Sequence, residues 1–380
     1  MRIGLDAHIL GKGKGGVERV VHQMVRLLPG LMPESQFVVF TKKDYTAPFA
    51  PRPNVRYRHL PVDDPLLQRS LVLPWLARRE RLDLLHVQRA APPCVRARLI
   101  VHTHDLLPLT APADHQGFRD RLVRRLTPGS IRRANGVLTV SESVAAEIRR
   151  LFPQAADKLA AIPNGIDVDF FRPKPAGAER APIHSRLNLA GSYVLYLGAL
   201  MSRKNLEVAI RGFGQYLSNP SARGTKLVLA GMTRSREYET GLRALADEVA
   251  PGAVVFTGFV TDEECLALLQ HAAVFLAPSR GEGFDFPALE AMACAIPVIC
   301  SELPVHRELL ADDALYFPTD QPAALAAALR QINGDTGVRA RLAAGGPARA
   351  ARYTWEDAMA GIAAFYLKVH FRSVPAASTP

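Results

Sequence analysis

Short apolar runs alternate with longer helix-periodic stretches along most of this 380-residue chain, and that rhythm is interrupted once. The first set reads as strands at RIGLDA (2–7), QFVVFT (36–41), DLLHV (83–87), RLIVHT (98–103), GVLTV (136–140) and LAAIPN (159–164). The second set is YVLYLGA (193–199), KLVLAG (226–231), AVVFTG (253–258), AVFLAP (273–278), PVICS (297–301) and ALYF (314–317). Continuous apolar strands separated by helix-length segments specify parallel sheets covered on both faces. Residues 172–183, RPKPAGAERAPI, carry three prolines and no period, so they read as a linker. The expected architecture is α/β, with two Rossmann-like domains facing one another across a cleft.

Composition narrows the class. Hydrophobic residues make up 48% and charged residues 22%, as in a soluble globular protein. Neither a secretory signal nor an apolar run of membrane-spanning length is expected. The four cysteines, Cys94, Cys265, Cys294 and Cys300, have no zinc-type spacing, so the expected setting is the reducing cytoplasm and no metal is expected. Charge is unevenly placed: residues 1–180 hold 29 Lys+Arg against 17 Asp+Glu, whereas residues 181–380 hold 18 against 19. An excess confined to one half points to an anionic partner there.

The stretch GKGKGG (11–16) spells G-x-G-x-x-G, the pattern of a dinucleotide-binding turn. Its context fits that use poorly. The preceding strand ends near Asp6, several residues early, and the acid expected some 20 residues on is represented only by Glu34, ahead of the second strand. From Gly16, Val17, Val20, Val21, Met24, Leu27 and Leu28 recur at helical spacing, so the glycines open a helix whose start suits a phosphate. A loop without any ligand is the plainer alternative.

In the second half, Arg203 and Lys204 follow a strand's carboxyl end, where open α/β sheets bind ligands. Two cations there can clamp a diphosphate, or be a solvated surface pair. The stretch SRGEGFDFPALEAMACAIPVICSE (279–302) is more specific: Pro287 begins a helix, with Glu282 in the loop before it and Glu290 near its first turn. Two carboxylates flanking such a helix start can accept hydrogen bonds from sugar hydroxyls, although Glu290 alone could serve the helix dipole.

Taken in order, GG-V-E (15–18), HD (104–105), SES (141–143), IPNGID (162–167), LG…RKN (197–205), TGFVTDEE (257–264), E-x7-E in EGFDFPALE (282–290) and a late YTW (353–355) resemble the retaining glycosyltransferases of family 4, group 1, which have the GT-B fold. The resemblance implies domains at 1–175 (acceptor-binding) and 184–355 (nucleotide-sugar-binding), a helix at 356–371 crossing back to the first domain, and a disordered tail at 372–380. It implies that Glu290 holds the ribose of a nucleotide sugar and Glu282 the transferred sugar, aided by backbone groups at Phe284, Asp285 and Phe286. Arg203 and Lys204 would neutralise the diphosphate, with Gly15 and Gly16 closing over it, while Gly258, Phe259 and Val260 lie against the base. His104 would approach the sugar; His102 is assigned to the opposite strand face and ranked below it. Catalysis would then rest on His104 and Glu282, with no cofactor and no metal, the D-x-D at Asp167–Asp169 being a structural turn.

Three departures stand out: Asp285 at a position commonly glycine, Ala295 in place of the glycine before I-P-V, and Arg280-Gly281 before the first glutamate. Asp285 would put an extra carboxylate beside the phosphate or sugar. The implied activity is transfer of a hexose, mannose favoured through a GDP-mannose-like donor, to a surface-polysaccharide or lipopolysaccharide acceptor. HDLLPLTAP (104–112) is similar to mannosyl- and rhamnosyltransferases. The alternatives are an NAD(P)-dependent oxidoreductase and a non-catalytic sugar-nucleotide-binding protein. Basic amphipathic segments at 69–82 and 117–133 suit peripheral attachment to an anionic membrane surface on the inner face of the cell membrane, near a lipid-linked acceptor, rather than nucleic acid.

Overall fold

The computed structural model describes the chain except residues 12, 14, 63, 65–66, 112–116, 234 and 373–380, together with the side chains of 118–120. The expected tail therefore lies outside the described residues, apart from its first residue, 372. Two units result: Met1–Gly165 with Trp355–Pro380, and Ile166–Thr354. Residues 166–175 go with the second unit, where Ile166 N–H donates to the Tyr353 carbonyl (2.9 Å). Arg172 O accepts from Gln270 Nε2 (3.0 Å) in the same unit.

The first unit is built on a seven-stranded sheet in the order β3-β2-β1-β4-β5-β6-β7. Its strands are β1 (Arg2–Asp6), β2 (Gln36–Thr41), β3 (Val55–His59), β4 (Leu84–Gln88), β5 (Arg98–Thr103), β6 (Gly136–Thr139) and β7 (Leu159–Ala161). All the pairings are parallel. The central strand β4 is buried along its whole length, as a strand covered by helices on both faces must be. The helix Trp355–Phe371 packs on the helix Gly16–Leu31. A Cβ added at Gly136 would lie 2.7 Å from both Phe365 and Val369, so glycine is what lets this helix approach β6 so closely.

The second unit has a six-stranded sheet, order β10-β9-β8-β11-β12-β13. Its strands are β8 (Tyr193–Leu197), β9 (Lys226–Ala230), β10 (Val254–Gly258), β11 (Val274–Ala277), β12 (Val298–Ser301) and β13 (Ala314–Phe317), again all parallel. The helices Leu206–Leu217 and Pro322–Gly334 seal one side around Phe213, Leu325 and Leu329. Each such fully buried side chain contributes about 1.5–3 kcal/mol of transfer free energy. In both sheets the strand order reverses at the first strand, between β1 and β4 and between β8 and β11. Loops leaving adjacent carboxyl ends part there and leave a crevice for a ligand.

Candidate active site

At the reversal point of the second sheet, the loops after β8 and β11 are joined by a hydrogen bond from Arg280 N–H to the Arg203 carbonyl (2.8 Å). The turn Ser202–Lys204 closes on Asn205, which takes a left-handed conformation (φ 55°). Asn205 is fully buried and donates from Nδ2 to the Thr319 carbonyl (2.7 Å). This fixes the two cations. Arg203 Nη1 donates to Glu282 Oε2 (3.0 Å) and to the Gly281 carbonyl (3.1 Å). Lys204 Nζ donates to Glu282 Oε1 (2.5 Å), and Ser279 Oγ donates to the same oxygen (2.6 Å).

Glu282 therefore sits between the cations, its side chain 6% exposed. Burial alone would raise its pKa, but the charges of Arg203 and Lys204 and the hydrogen bonds from Lys204 and Ser279 outweigh it and hold the carboxyl at about 2. The cluster carries one net positive charge at neutral pH, held in place before any ligand arrives. A ligand hydroxyl still finds a lone pair on Glu282 Oε2.

The helix Phe286–Ala293 starts four residues later and is buried on nearly every side. Glu290 lies within this apolar helix and is only 4% exposed. Its carboxylate adds to the effect of burial in pushing the Cys294 thiol up to about 12. Phe284 and Phe286 turn inward, their rings 5.0 Å apart, with Tyr353 6.1 Å from Phe284. What this loop can offer a ligand is thus its backbone and its glutamate.

Asp285 does not add a loose carboxylate to the site. Its Oδ2 accepts from His306 Nε2 (3.1 Å), and both side chains are buried. On the neighbouring edge, Gly258 (φ 70°) ends β10, and its carbonyl accepts from Gly231 N–H (3.0 Å). Phe259 is 70% exposed, a ring surface open to a planar partner.

In the first unit, Gly15 (φ 67°) caps the helix Gly16–Leu31 in a conformation open only to glycine at low cost. Glu18 Oε1 accepts from Gly11 N–H (2.7 Å), folding the loop onto its own helix. His104 leaves the carboxyl end of β5, and its Nε2 donates to Gln88 Oε1 (2.7 Å). That contact puts the proton on Nε2 and leaves a lone pair on Nδ1. Burial, then His102, Arg89 and His86, hold its pKa well below the usual value, so His104 is neutral at physiological pH.

His102 is not on the opposite face: its ring stacks on that of His104 at 4.3 Å. Residues two apart on a strand share a face, so the two histidines lie on one side of β5. Asp167 accepts from Phe170 N–H (3.0 Å), the turn expected of the D-x-D stretch. Among the described residues no group of three or more His, Cys, Asp or Glu side chains is arranged to hold a metal.

Comparison with known proteins places this geometry. Residues 14–170 match the model for Glycosyltransferase Family 4, and residues 191–335 match that for Glycosyl transferases group 1, together most of the chain. The chain belongs to this glycosyltransferase family. The O-antigen chain mannosyltransferase B of Escherichia coli is 29% identical over 284 residues, 74% of each chain. A D-inositol 3-phosphate glycosyltransferase of Acidothermus cellulolyticus is 30% identical over 241 residues, covering 61% of this chain but only 53% of that relative.

Solved structures with the same fold include sucrose-phosphate synthase of Thermosynechococcus elongatus (TM-score 0.75, 21% identity, 97% of this chain and 99% of that one). Another is Anabaena HepE in complex with UDP and glucose (TM-score 0.74, 18% identity, 97% and 100%). The architecture is thus GT-B, two parallel-sheet α/β domains. For a family member, the glycines at 11–16 are a helix-opening loop, and the oxidoreductase reading is set aside.

Three functional contacts escaped the sequence. Gln88 ends β4 with nothing in LLHVQ to mark it. His306 lies 21 residues from Asp285, in a segment without a motif. The pairing of Glu282 with Arg203 spans 79 residues. The one available signal was Asp285 itself, since a buried carboxylate demands a partner.

Proposed function

We propose that this glycosyltransferase moves a hexose, mannose favoured, from a nucleotide-diphosphate sugar to a growing, lipid-linked surface glycan. The transfer retains anomeric configuration and needs no metal. The observation that carries the reading is the Arg203–Glu282–Lys204 cluster at the reversal point of the second sheet, beside buried Glu290. Two fixed cations stabilise the charge that builds on a departing diphosphate, the work a metal ion performs in other transferases. Glu282 and the backbone at 284–286 hold the sugar, Glu290 the ribose, and the exposed Phe259 ring the base. His104, neutral and oriented by Gln88, presents Nδ1 as an acceptor for a sugar hydroxyl. The solved complex of HepE with UDP and glucose and the O-antigen mannosyltransferase relative support the donor class and the favoured sugar.

Calorimetric titration with GDP-mannose, UDP-glucose, UDP-N-acetylglucosamine and dTDP-rhamnose tests this. One donor should bind, and Glu290→Ala should weaken it at least tenfold, the loss expected of a hydrogen bond to a charged group (about 1.5–3 kcal/mol). Turnover of that donor should survive EDTA and give the retained anomer by NMR. Binding without turnover on any acceptor would favour a sugar-nucleotide sensor instead.

Attachment to an anionic membrane is part of the same proposal. Leu67, Leu71 and Trp75 are exposed at helical spacing. Beside them a cavity of about 700 Å³ is lined by Trp75, Arg78, Arg96 and Arg133. Apolar residues flanked by arginines fit the interfacial zone of an acidic bilayer. No helix of the described residues is long and apolar enough to cross a membrane. Flotation with phosphatidylglycerol vesicles should retain the protein and lose it with Trp75→Ala/Arg78→Ala/Arg133→Ala; equal retention of both sinks this part.

A further inference from the structure

Asp285 and His306 form an ion pair sealed inside the second unit, with side-chain exposures of 5% and 0%. His306 donates from both ring nitrogens: Nε2 to Asp285 Oδ2 (3.1 Å) and Nδ1 to the Ser301 carbonyl (2.7 Å). An imidazole that donates twice is an imidazolium. Burial opposes that charge, but the hydrogen bond to Asp285 and the charge of its carboxylate more than offset it, and the pKa of His306 lies well above the usual value.

This pair is wired to the cation cluster. Ser301 Oγ donates to the Ser279 carbonyl (2.5 Å), and Ser279 Oγ donates to Glu282. Asp285 stands three residues after Glu282 and immediately before the Phe286–Ala293 helix. It gives that helix no side-chain cap, so its carboxylate is spent on His306. The hydrogen-bonded chain from Asp285 through His306, Ser301 and Ser279 to Glu282 brings the Asp285 carboxylate and the Arg203–Glu282–Lys204 cluster into one volume.

A lone carboxylate in that volume would repel a diphosphate and cancel the one net positive charge that Glu282 leaves on Arg203 and Lys204. We propose that His306 is a positioning residue of the donor site: it holds Asp285 in a neutral pair turned inward, leaving the net positive cluster free to take the donor's diphosphate. The inference rests on the nucleotide-sugar reading above and adds to it a residue outside the E-x7-E segment. It also accounts for an aspartate where glycine is usual, because His306 accompanies it.

His306→Gln keeps the size of the side chain and removes its charge; Asp285→Asn/His306→Gln removes both charges. Titration with GDP and UDP should show His306→Gln about tenfold weaker for the diphosphate that the wild type binds, with the double variant recovering most of the loss. The matching nucleoside, guanosine or uridine, followed by ligand-observed NMR, should bind all three proteins alike, because it carries no charge. If His306→Gln weakens nucleoside and diphosphate equally, or the double variant stays as weak as the single, the pair merely holds the fold and the proposal fails. Undiminished diphosphate binding by His306→Gln overturns it as well. If the wild type binds neither diphosphate, the donor reading falls and takes this one with it.

Discussion

Glu282 shows how much of one residue's role is set by its neighbours. Alone, a buried glutamate would be protonated; between Arg203 and Lys204 it stays ionised down to about pH 2. Since its folded pKa lies below the ordinary 4.5, its contribution to stability is fully present above pH 4.5 and is lost as pH falls towards 2. The difference corresponds to about 3 kcal/mol, as an order of magnitude. Urea unfolding at pH 6.5 and pH 3 should therefore show a larger drop for the wild type than for Glu282→Gln, which has no charge to lose. An equal drop in both would mean that the cations are solvated in solution and the cluster does not pre-exist. Removing Glu282 also leaves two facing cations, so Glu282→Gln should be the less stable protein at pH 6.5.

At the scale of elements, strands buried on both faces were the most legible part of the fold, because a run such as DLLHV has only one comfortable place. The edge strand β3 was missed: VRYRH follows the prolines 51 and 53, and it carries two arginines, Arg56 exposed and Arg58 paired with the buried Glu80 (2.7 Å). It is recognisable only once β2 supplies its ladder. The last sequence-read strand of the first set, 159–164, shortens to Leu159–Ala161, since LAAIPN runs out into the IPNGID turn. The site was legible as motifs, not as contacts: E-x7-E marked the loop and helix, but which cation meets which glutamate depends on two loops converging from distant parts of the chain.

Helix ends offer a test at this scale. Ala295 follows the Phe286–Ala293 helix at φ 59°, a left-handed position where an alanine Cβ is strained and glycine is not. Ala295→Gly should raise stability by about 1 kcal/mol in chemical denaturation while leaving the denaturant slope unchanged. A lower midpoint would mean that the larger freedom of the unfolded glycine outweighs the relief, and that the backbone here is not strained.

Over the whole molecule, the two units should answer acid differently. The first buries His86, His102 and His104 side by side, His102 stacked on His104 at 4.3 Å and tilted against His86 at 5.3 Å. His86 is fastened to Tyr366 of the Trp355–Phe371 helix (Nδ1 to hydroxyl, 2.6 Å), so the cluster also ties the end of the chain to the first sheet. Both ring nitrogens of His102 lack a partner among the described residues, and burial brings its pKa down to about 3. Burial pushes His86 and His104 in the same direction. Folded pKa values below 6.5 mean stability that is complete above pH 6.5 and declines as the solution is acidified, by about 2 kcal/mol at pH 5 for His102 alone. His306 has the opposite sign: its raised pKa gives the second unit stability that is present below pH 6.5 and lost only as pH rises through the folded value. Lowering the pH from 7.5 to 5 should therefore loosen residues 1–165 ahead of 166–354, and an acid-tolerant protease should cut the first unit first. His102→Phe keeps the stacked ring without its unpartnered nitrogens, and should move that loosening to lower pH. Cleavage that begins in the second unit, or a pH profile untouched by His102→Phe, would show that the histidine cluster is hydrated in solution and does not govern the acid limit of the fold.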